Sequence, residues 1–197
     1  MNELCFATTN DGKVASLRRA FEKAGTNATV RQLKLSLIEP QADTSREVAL
    51  VKARQAYEQT GRAVLVDDSS FHIVALNGFP GPYAKYMNET IGPDGYIKVM
   101  HGIDDRRAYF INNLVFIDDD GTEHTFEGSP YPGVITHEVS TVTDPTAWSE
   151  LFRIFMPEGS GKVLAEMTSE ERREKETSNL QKDCYLDFAR WLKQQTK

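Results

Sequence analysis

Ala63-Val64-Leu65-Val66-Asp67-Asp68-Ser69-Ser70 decides how this chain is read. Ala63 to Val66 is a short apolar run of the kind that forms a buried strand. Asp67 and Asp68 follow at once, so both carboxylates are expected at the strand's carboxyl edge, where open α/β sheets place their ligand crevices. A carboxylate pair there can hold a divalent metal. The same Asp-Asp-Ser-Ser is also ordinary turn chemistry between a strand and the next element.

Working outward, Thr44-Ser45-Arg46-Glu47 matches a capping box, and the helix it opens runs through Ala49, Lys52, Ala53 and Ala56 to a left-handed stop at Gly61. Upstream, Leu4 to Ala7 reads as a strand, Thr8 to Lys13 as a polar loop, and Val14, Leu17, Phe21 and Ala24 as one face of a helix ending at Gly25. Downstream, Ala108 to Ile117 and Thr122 to Phe126 form a predicted β-hairpin around Asp118-Asp119-Asp120-Gly121. That turn lacks the spaced ligands and terminal Glu of a calcium loop. Tyr185, Phe188, Ala189 and Leu192 share one helical face, with Trp191 beside it, after the densely charged stretch from Thr168 to Lys182. The alternation of strands and helices predicts an α/β fold, and no repeat or linker marks a domain boundary.

The chain has 197 residues, enough for one substantial core or for two lobes sharing a sheet. A formal charge of −6 argues against general affinity for nucleic acid or anionic membrane, so an anionic ligand needs a local basic pocket. No apolar stretch is long enough to span a bilayer, and no secretory pattern opens the sequence, so a cytoplasmic protein is expected. Two cysteines make neither a disulfide framework nor a metal cluster; Cys5 and Cys184 are expected as reduced thiols, Cys5 in the core.

Thr8-Thr9-Asn10-Asp11-Gly12-Lys13 joins hydroxyls, a glycine, a lysine and the free N–H groups of a helix start, a combination suited to phosphate, without being a Walker loop. Together with Lys52-Ala53-Arg54, Asp67-Asp68-Ser69 and Ala75 to Tyr83, it resembles in order and spacing the inosine triphosphate pyrophosphatase family, closest to archaeal-type members. The resemblance continues through Glu89-Thr90-Ile91-Gly92, Ala108-Tyr109-Phe110, Pro132-Gly133-Val134-Ile135, Phe155-Met156-Pro157-Glu158 and Ala165-Glu166-Met167-Thr168.

That resemblance implies an elongated α/β fold of two lobes around a long mixed β-sheet with a central nucleotide cleft, residues 1–197 forming one domain, usually as a homodimer. It also implies Mg²⁺ and hydrolysis of non-standard purine nucleoside triphosphates to monophosphate and pyrophosphate. Carried over residue by residue, Asp68 is the catalytic carboxylate and metal ligand, and Asp67 supports it at the metal. Glu39 is the second metal ligand, with Asp43 as the alternative, because Glu39 to Thr44 contains an extra residue relative to the family. Lys13, Lys52 and Lys85 match lysines that face the triphosphate, although each taken singly reads as a surface lysine covering apolar neighbours. Thr8, Thr9 and Asn10 are expected to donate to the same phosphates, with Ser69 at the border of the metal site.

The chain departs from the family where the base is read. Trp148 to Phe155 replaces an aromatic-Gly-aromatic-Asp-Pro segment, leaving Ser149 for the stacking residue and Phe152 for the Asp. Trp148 remains as a stacking residue or as a buried structural tryptophan. Glu174 to Gln181 stands where the family has Ser-His-Arg, and Arg172 matches a family lysine near the nucleotide. Ser70 replaces a glycine; if that position needs positive φ, the serine costs about 1 kcal/mol. The expected function is a Mg²⁺-dependent nucleoside triphosphate pyrophosphatase with altered or relaxed base recognition. Its rival is a nucleotide-binding protein of the same descent without turnover.

Overall fold

The structure is a computed structural model that describes residues 3–145, 147–178 and 183–195, with the side chains at 173 and 176–178 outside that description. Its mixed sheet has the order β2-β1-β3-β5-β7-β8, with β4 beside β3 and β6 beside β5. The elements are β1 (Glu3–Ala7), α1 (Asp11–Ala24), β2 (Thr29–Leu33), α2 (Ser45–Thr60), β3 (Val64–Ile73), β4 (Pro80–Gly81), α3 (Ala84–Val99) and β5 (Arg107–Ile117). They continue with β6 (Glu123–Glu127), β7 (Tyr131–Ile135), β8 (Phe155–Pro157), α4 (Ser169–Ser178) and α5 (Cys184–Gln195). The predicted α/β class is the observed one. No helix among the described residues is long and apolar enough to cross a membrane.

The chain divides into two compact units, the first within 1–69, 112–129 and 182–197 and the second within 70–111 and 130–181. In the first, β1 pairs in parallel with β2 and with β3, the latter from Cys5 opposite Val64 to Ala7 opposite Val66. Successive strand side chains point to opposite faces. Leu4, Phe6, Leu65, Leu114 and Phe116 therefore pack with Val14, Leu17 and Phe21 of α1 and with Phe188 and Leu192 of α5. Cys5, Ala7, Val64, Val66, Val115 and Ile117 face the other way, onto Ala49, Ala53 and Ala56 of α2.

The predicted caps are present. Thr44 and Glu47 form the reciprocal capping box, and Gly25 (φ 65°) and Gly61 (φ 61°) end α1 and α2 in the left-handed conformation that an L side chain resists. The β5–β6 hairpin pairs Ile117 with Glu123. Its acidic turn is structural: Asp118 accepts from the N–H groups of Asp120 and Thr122 and pairs with His124, while Asp119 accepts from the Ala63 N–H. Both cysteines are free and buried.

The second unit is built on an aromatic cluster in which Phe71 contacts Tyr96, Phe110 and Phe155, with Leu151, Phe152 and Leu164 around it. The charged stretch after Thr168 forms α4, opened by a second reciprocal cap between Thr168 and Glu171. Residues 179–182, including Asn179 of the stretch from Glu174 to Gln181, lie outside the described residues.

Two local expectations are corrected. The strand expected to stop at Val66 continues to Ile73, so the aspartates sit within β3. Ser70 needs no positive φ: it lies in that extended strand, and among the described residues Asn77 is the non-glycine residue with a positive φ. A polar pair inside a strand breaks the apolar run, which is why the sequence reads as a strand end. Serine is sterically ordinary in extended backbone, so the expected strain does not arise.

Candidate active site

Strand alternation decides which lysine each aspartate meets. The parallel ladder between β1 and β3 ends at Ala7 and Val66, so Asp67 and Asp68 lie just past the carboxyl end of β1, beside the loop of residues 8–10. Asp67 continues the Leu65 row towards α1 and α5, and Asp68 continues the Val66 row towards α2. Accordingly Asp67 pairs with Lys13 of α1, and Asp68 pairs with Lys52 of α2 at 2.8 Å.

Asp67 is 3 % exposed and its carboxylate is fully engaged. Oδ1 accepts from Lys13 Nζ and, at 3.1 Å, from Ser69 Oγ; Oδ2 accepts from the Tyr185 hydroxyl of α5. The role expected for Asp67 at a metal thus competes with three donors, and its observed position is that of an anchor for Lys13. Ser69 shares the face of Asp67 and bonds to it, which places its hydroxyl on the supporting carboxylate.

Asp68 is the more available acid. Lys52 Nζ donates to Asp68 Oδ1 at 2.8 Å and to Glu39 Oε1 at 3.1 Å, while Glu39 remains 42 % exposed. Burial pushes the Asp68 carboxyl above its ordinary range, and the charges of Lys52 and Lys13 pull against that shift. For Lys52, burial is the largest single influence and lowers its pKa, yet Asp68 and Glu39 together outweigh it and hold the ammonium charged.

Two carboxylates converging on one ammonium mark a place where a cation is favourable. Among the described residues no three His, Cys, Asp or Glu side chains enclose a metal. The Asp68–Glu39 pair nonetheless suits Mg²⁺, which keeps several waters and needs only one or two carboxylates when phosphate supplies further oxygens. Asp43, the alternative to Glu39, is exposed just ahead of the Thr44 cap.

The anion loop is more internally satisfied than its sequence indicates. Thr8 N–H donates to Leu33 O at 3.0 Å, Asn10 N–H to Thr8 Oγ1 at 3.1 Å, and the Gly12 and Lys13 N–H groups to Asn10 Oδ1 at 3.0 and 3.3 Å. Asn10 is the N-cap of α1, so its side-chain oxygen occupies the donors that a phosphate would otherwise take. The Gln32 amide braces the loop, donating to Thr8 O and Asp11 Oδ1. Of the loop's polar groups, the Asn10 side-chain oxygen and the Gly12 and Lys13 N–H groups are thus engaged within the loop itself.

The remaining predicted residues lie in the second unit. Lys85 is the second residue of α3. Trp148, Phe152 and Arg172 come together: Trp148 meets Phe152 edge-on at 5.2 Å and Phe110 at 5.3 Å, and the Arg172 guanidinium lies 5.8 Å above the Phe152 ring. Arg172 also pairs with Asp144 at 2.5 Å. Phe152 is buried, and the Trp148 ring is packed against the aromatic core, so the cluster has a structural basis of its own.

Sequence reasoning took Tyr185 as one apolar position among several on α5 and missed its hydroxyl. The available signal was chemical: a tyrosine on an otherwise apolar helix face needs a buried partner for its O–H. Burial and the neighbouring Asp67 charge push that phenol well above its ordinary range, so it stays a donor.

Comparison with known proteins gives this arrangement a lineage. The model of the Ham1 family matches residues 4–178. The dITP/XTP pyrophosphatase of Thermococcus kodakarensis is 36 % identical over 194 residues, covering 98 % of this chain and 99 % of that protein. Inosine triphosphate pyrophosphatase 1 of Trypanosoma cruzi is 33 % identical over 171 residues, covering 87 % and 84 %. In fold, the chain matches the Staphylococcus aureus Ham1 protein with a TM-score of 0.76 at 20 % identity, covering all of both chains. A family model spanning nearly the whole chain, with relatives above 30 % identity, establishes that this protein belongs to the Ham1 family.

Proposed function

We propose that the protein is a Mg²⁺-dependent nucleoside triphosphate pyrophosphatase acting on non-standard purine nucleotides. The observation that carries this reading is the Asp68–Lys52–Glu39 cluster beside the residue 8–13 loop, with Lys13 held on the other strand face. The names of the relatives, dITP/XTP pyrophosphatase and inosine triphosphate pyrophosphatase, support the substrate class.

In this reading water attacks the α-phosphorus, the bond to the α–β bridging oxygen breaks with its electron pair going to that oxygen, and pyrophosphate departs from the nucleoside monophosphate while the water's proton is released to solvent. Asp68 and Glu39 would hold Mg²⁺, which when bound neutralises phosphate charge and acidifies a water. Lys52 releases its carboxylates and turns on its flexible stem to a phosphate oxygen. Lys13 and the Thr8 and Thr9 hydroxyls bind the remaining phosphate charge. Positioning and charge neutralisation carry most of such a reaction.

Base selectivity is altered or relaxed in this proposal, because Ser149, Phe152 and Glu174 to Gln181 replace the family's base readers. Losing donors built for a base edge can cost orders of magnitude in discrimination. A cytoplasmic homodimer belongs to the same proposal; the exposed aromatics Phe79, Tyr83 and Tyr86 support a partner surface.

The test is pyrophosphate release with Mg²⁺ across standard, deaminated and oxidised nucleoside triphosphates, wild type beside Asp68→Asn. The variant should keep its circular dichroism spectrum and lose about 100-fold or more in turnover, the lower range for removing a positioned acid–base or metal-bearing group. Wild-type inactivity across the whole panel, or full activity in the variant, refutes the proposal.

A further inference from the structure

The Asp67–Lys13 pair is tied to a helix far away in sequence. Tyr185 is the second residue of α5, and Asp183 fixes that first turn by accepting from the N–H groups of Tyr185 at 2.9 Å and Leu186 at 3.2 Å. The rest of α5 is clamped to α1 and its exit: Phe188 packs on Phe21 with ring centroids 6.3 Å apart, Thr26 Oγ1 donates to Ala189 O at 2.8 Å, and Lys193 Nζ donates to Ala24 O at 2.8 Å. A phenol carried on so constrained a helix has little freedom to move. Its hydroxyl reaches Asp67 Oδ2, opposite the oxygen that holds Lys13 and Ser69.

We propose that Tyr185 is a positioning residue for phosphate binding: by holding Asp67 Oδ2 it fixes the carboxylate plane, and through that plane the Lys13 ammonium at the anion loop. A neutral donor suits this task. It satisfies the buried oxygen with a charge-assisted hydrogen bond yet brings no second cation, so Lys13 is the charge that balances Asp67. An approaching phosphate then competes for a lysine that is already aimed and whose anchor stays solvated by Tyr185 and Ser69 when the ammonium shifts. The inference rests on the phosphate-binding role given to Lys13 above.

The experiment is calorimetric titration of inorganic tripolyphosphate into wild type, Tyr185→Phe, Lys13→Ala and the double variant, which needs no turnover. Tyr185→Phe should weaken binding about tenfold, the scale of one hydrogen bond to a charged group, and by less than about twofold in the Lys13→Ala background. Unchanged affinity in Tyr185→Phe, or the same tenfold loss without Lys13, would overturn the proposal, the second outcome meaning a merely structural tyrosine. Wild type that binds no tripolyphosphate would remove the phosphate-site reading and this inference with it; wild-type binding with an indifferent Tyr185→Phe removes the inference alone. Should the phenylalanine variant not fold, 3-fluorotyrosine placed at position 185 should shift its fluorine resonance on adding tripolyphosphate, and an unmoved resonance overturns the proposal.

Discussion

Replacing Lys52 with methionine isolates the cation between Asp68 and Glu39. Methionine keeps most of the apolar stem, so the change removes the ammonium with little loss of packing. The side chains of Lys52 and Asp68 are 12 % and 11 % exposed, whereas Glu39, at 42 %, regains water when released. The cost therefore falls on Asp68, left as a buried carboxylate without its partner. Breaking such a pair costs about 3 kcal/mol, the low end of the buried range, because the site opens to solvent on the Glu39 side. A divalent cation should take the vacated position, and at a concentration 100 times its Kd it returns about 2.7 kcal/mol. Wild type gains less, since its own ammonium must first be displaced. Urea unfolding followed by circular dichroism, in EDTA and in Mg²⁺, reads both quantities. A loss below about 1 kcal/mol in EDTA, where a broken buried pair should cost several times more, would refute the reasoning. Equal stabilisation of wild type and variant by Mg²⁺ would refute it as well.

Phe71→Ala removes a fully buried ring from contact with Tyr96, Phe110 and Phe155, and should cost about 3–5 kcal/mol in urea unfolding; a cost under about 1 kcal/mol would mean the cluster does not hold the second unit together. His72 stacks on Tyr109 at 4.8 Å and lies 2.9 Å from Ser70 Oγ, and burial lowers its pKa below the ordinary 6.5, against a raising hydrogen bond with the Gly78 backbone. The unfolded chain thus binds the proton first as pH falls through 6.5, so the folded state loses stability on acidification until His72 itself titrates. Stability measured from pH 7.5 to 5 should fall less steeply in His72→Gln than in wild type; parallel curves would contradict the lowered pKa.

Local order was legible in the sequence because it is made by neighbours. The Thr44–Glu47 box, the glycines ending α1 and α2, the β5–β6 hairpin and the apolar face of α5 each depend on residues a few positions apart. The loop-and-lysine order that resembles a family also sits in the linear chain, and it led to the Ham1 family. Tertiary structure decided the partners. Adjacency of Asp67 and Asp68 says nothing about which is the anchor and which is available. That follows from strand alternation, which turns one towards α1 and α5 and the other towards α2. The strand continues through the two carboxylates to Ile73, where Lys13 and Lys52 balance their charge and the neutral Tyr185 hydroxyl donates to Asp67, partners that a local reading does not see. Hydrogen bonds spanning 118 residues, such as Tyr185 to Asp67, leave no periodicity in a sequence, so only the folded chain reveals them.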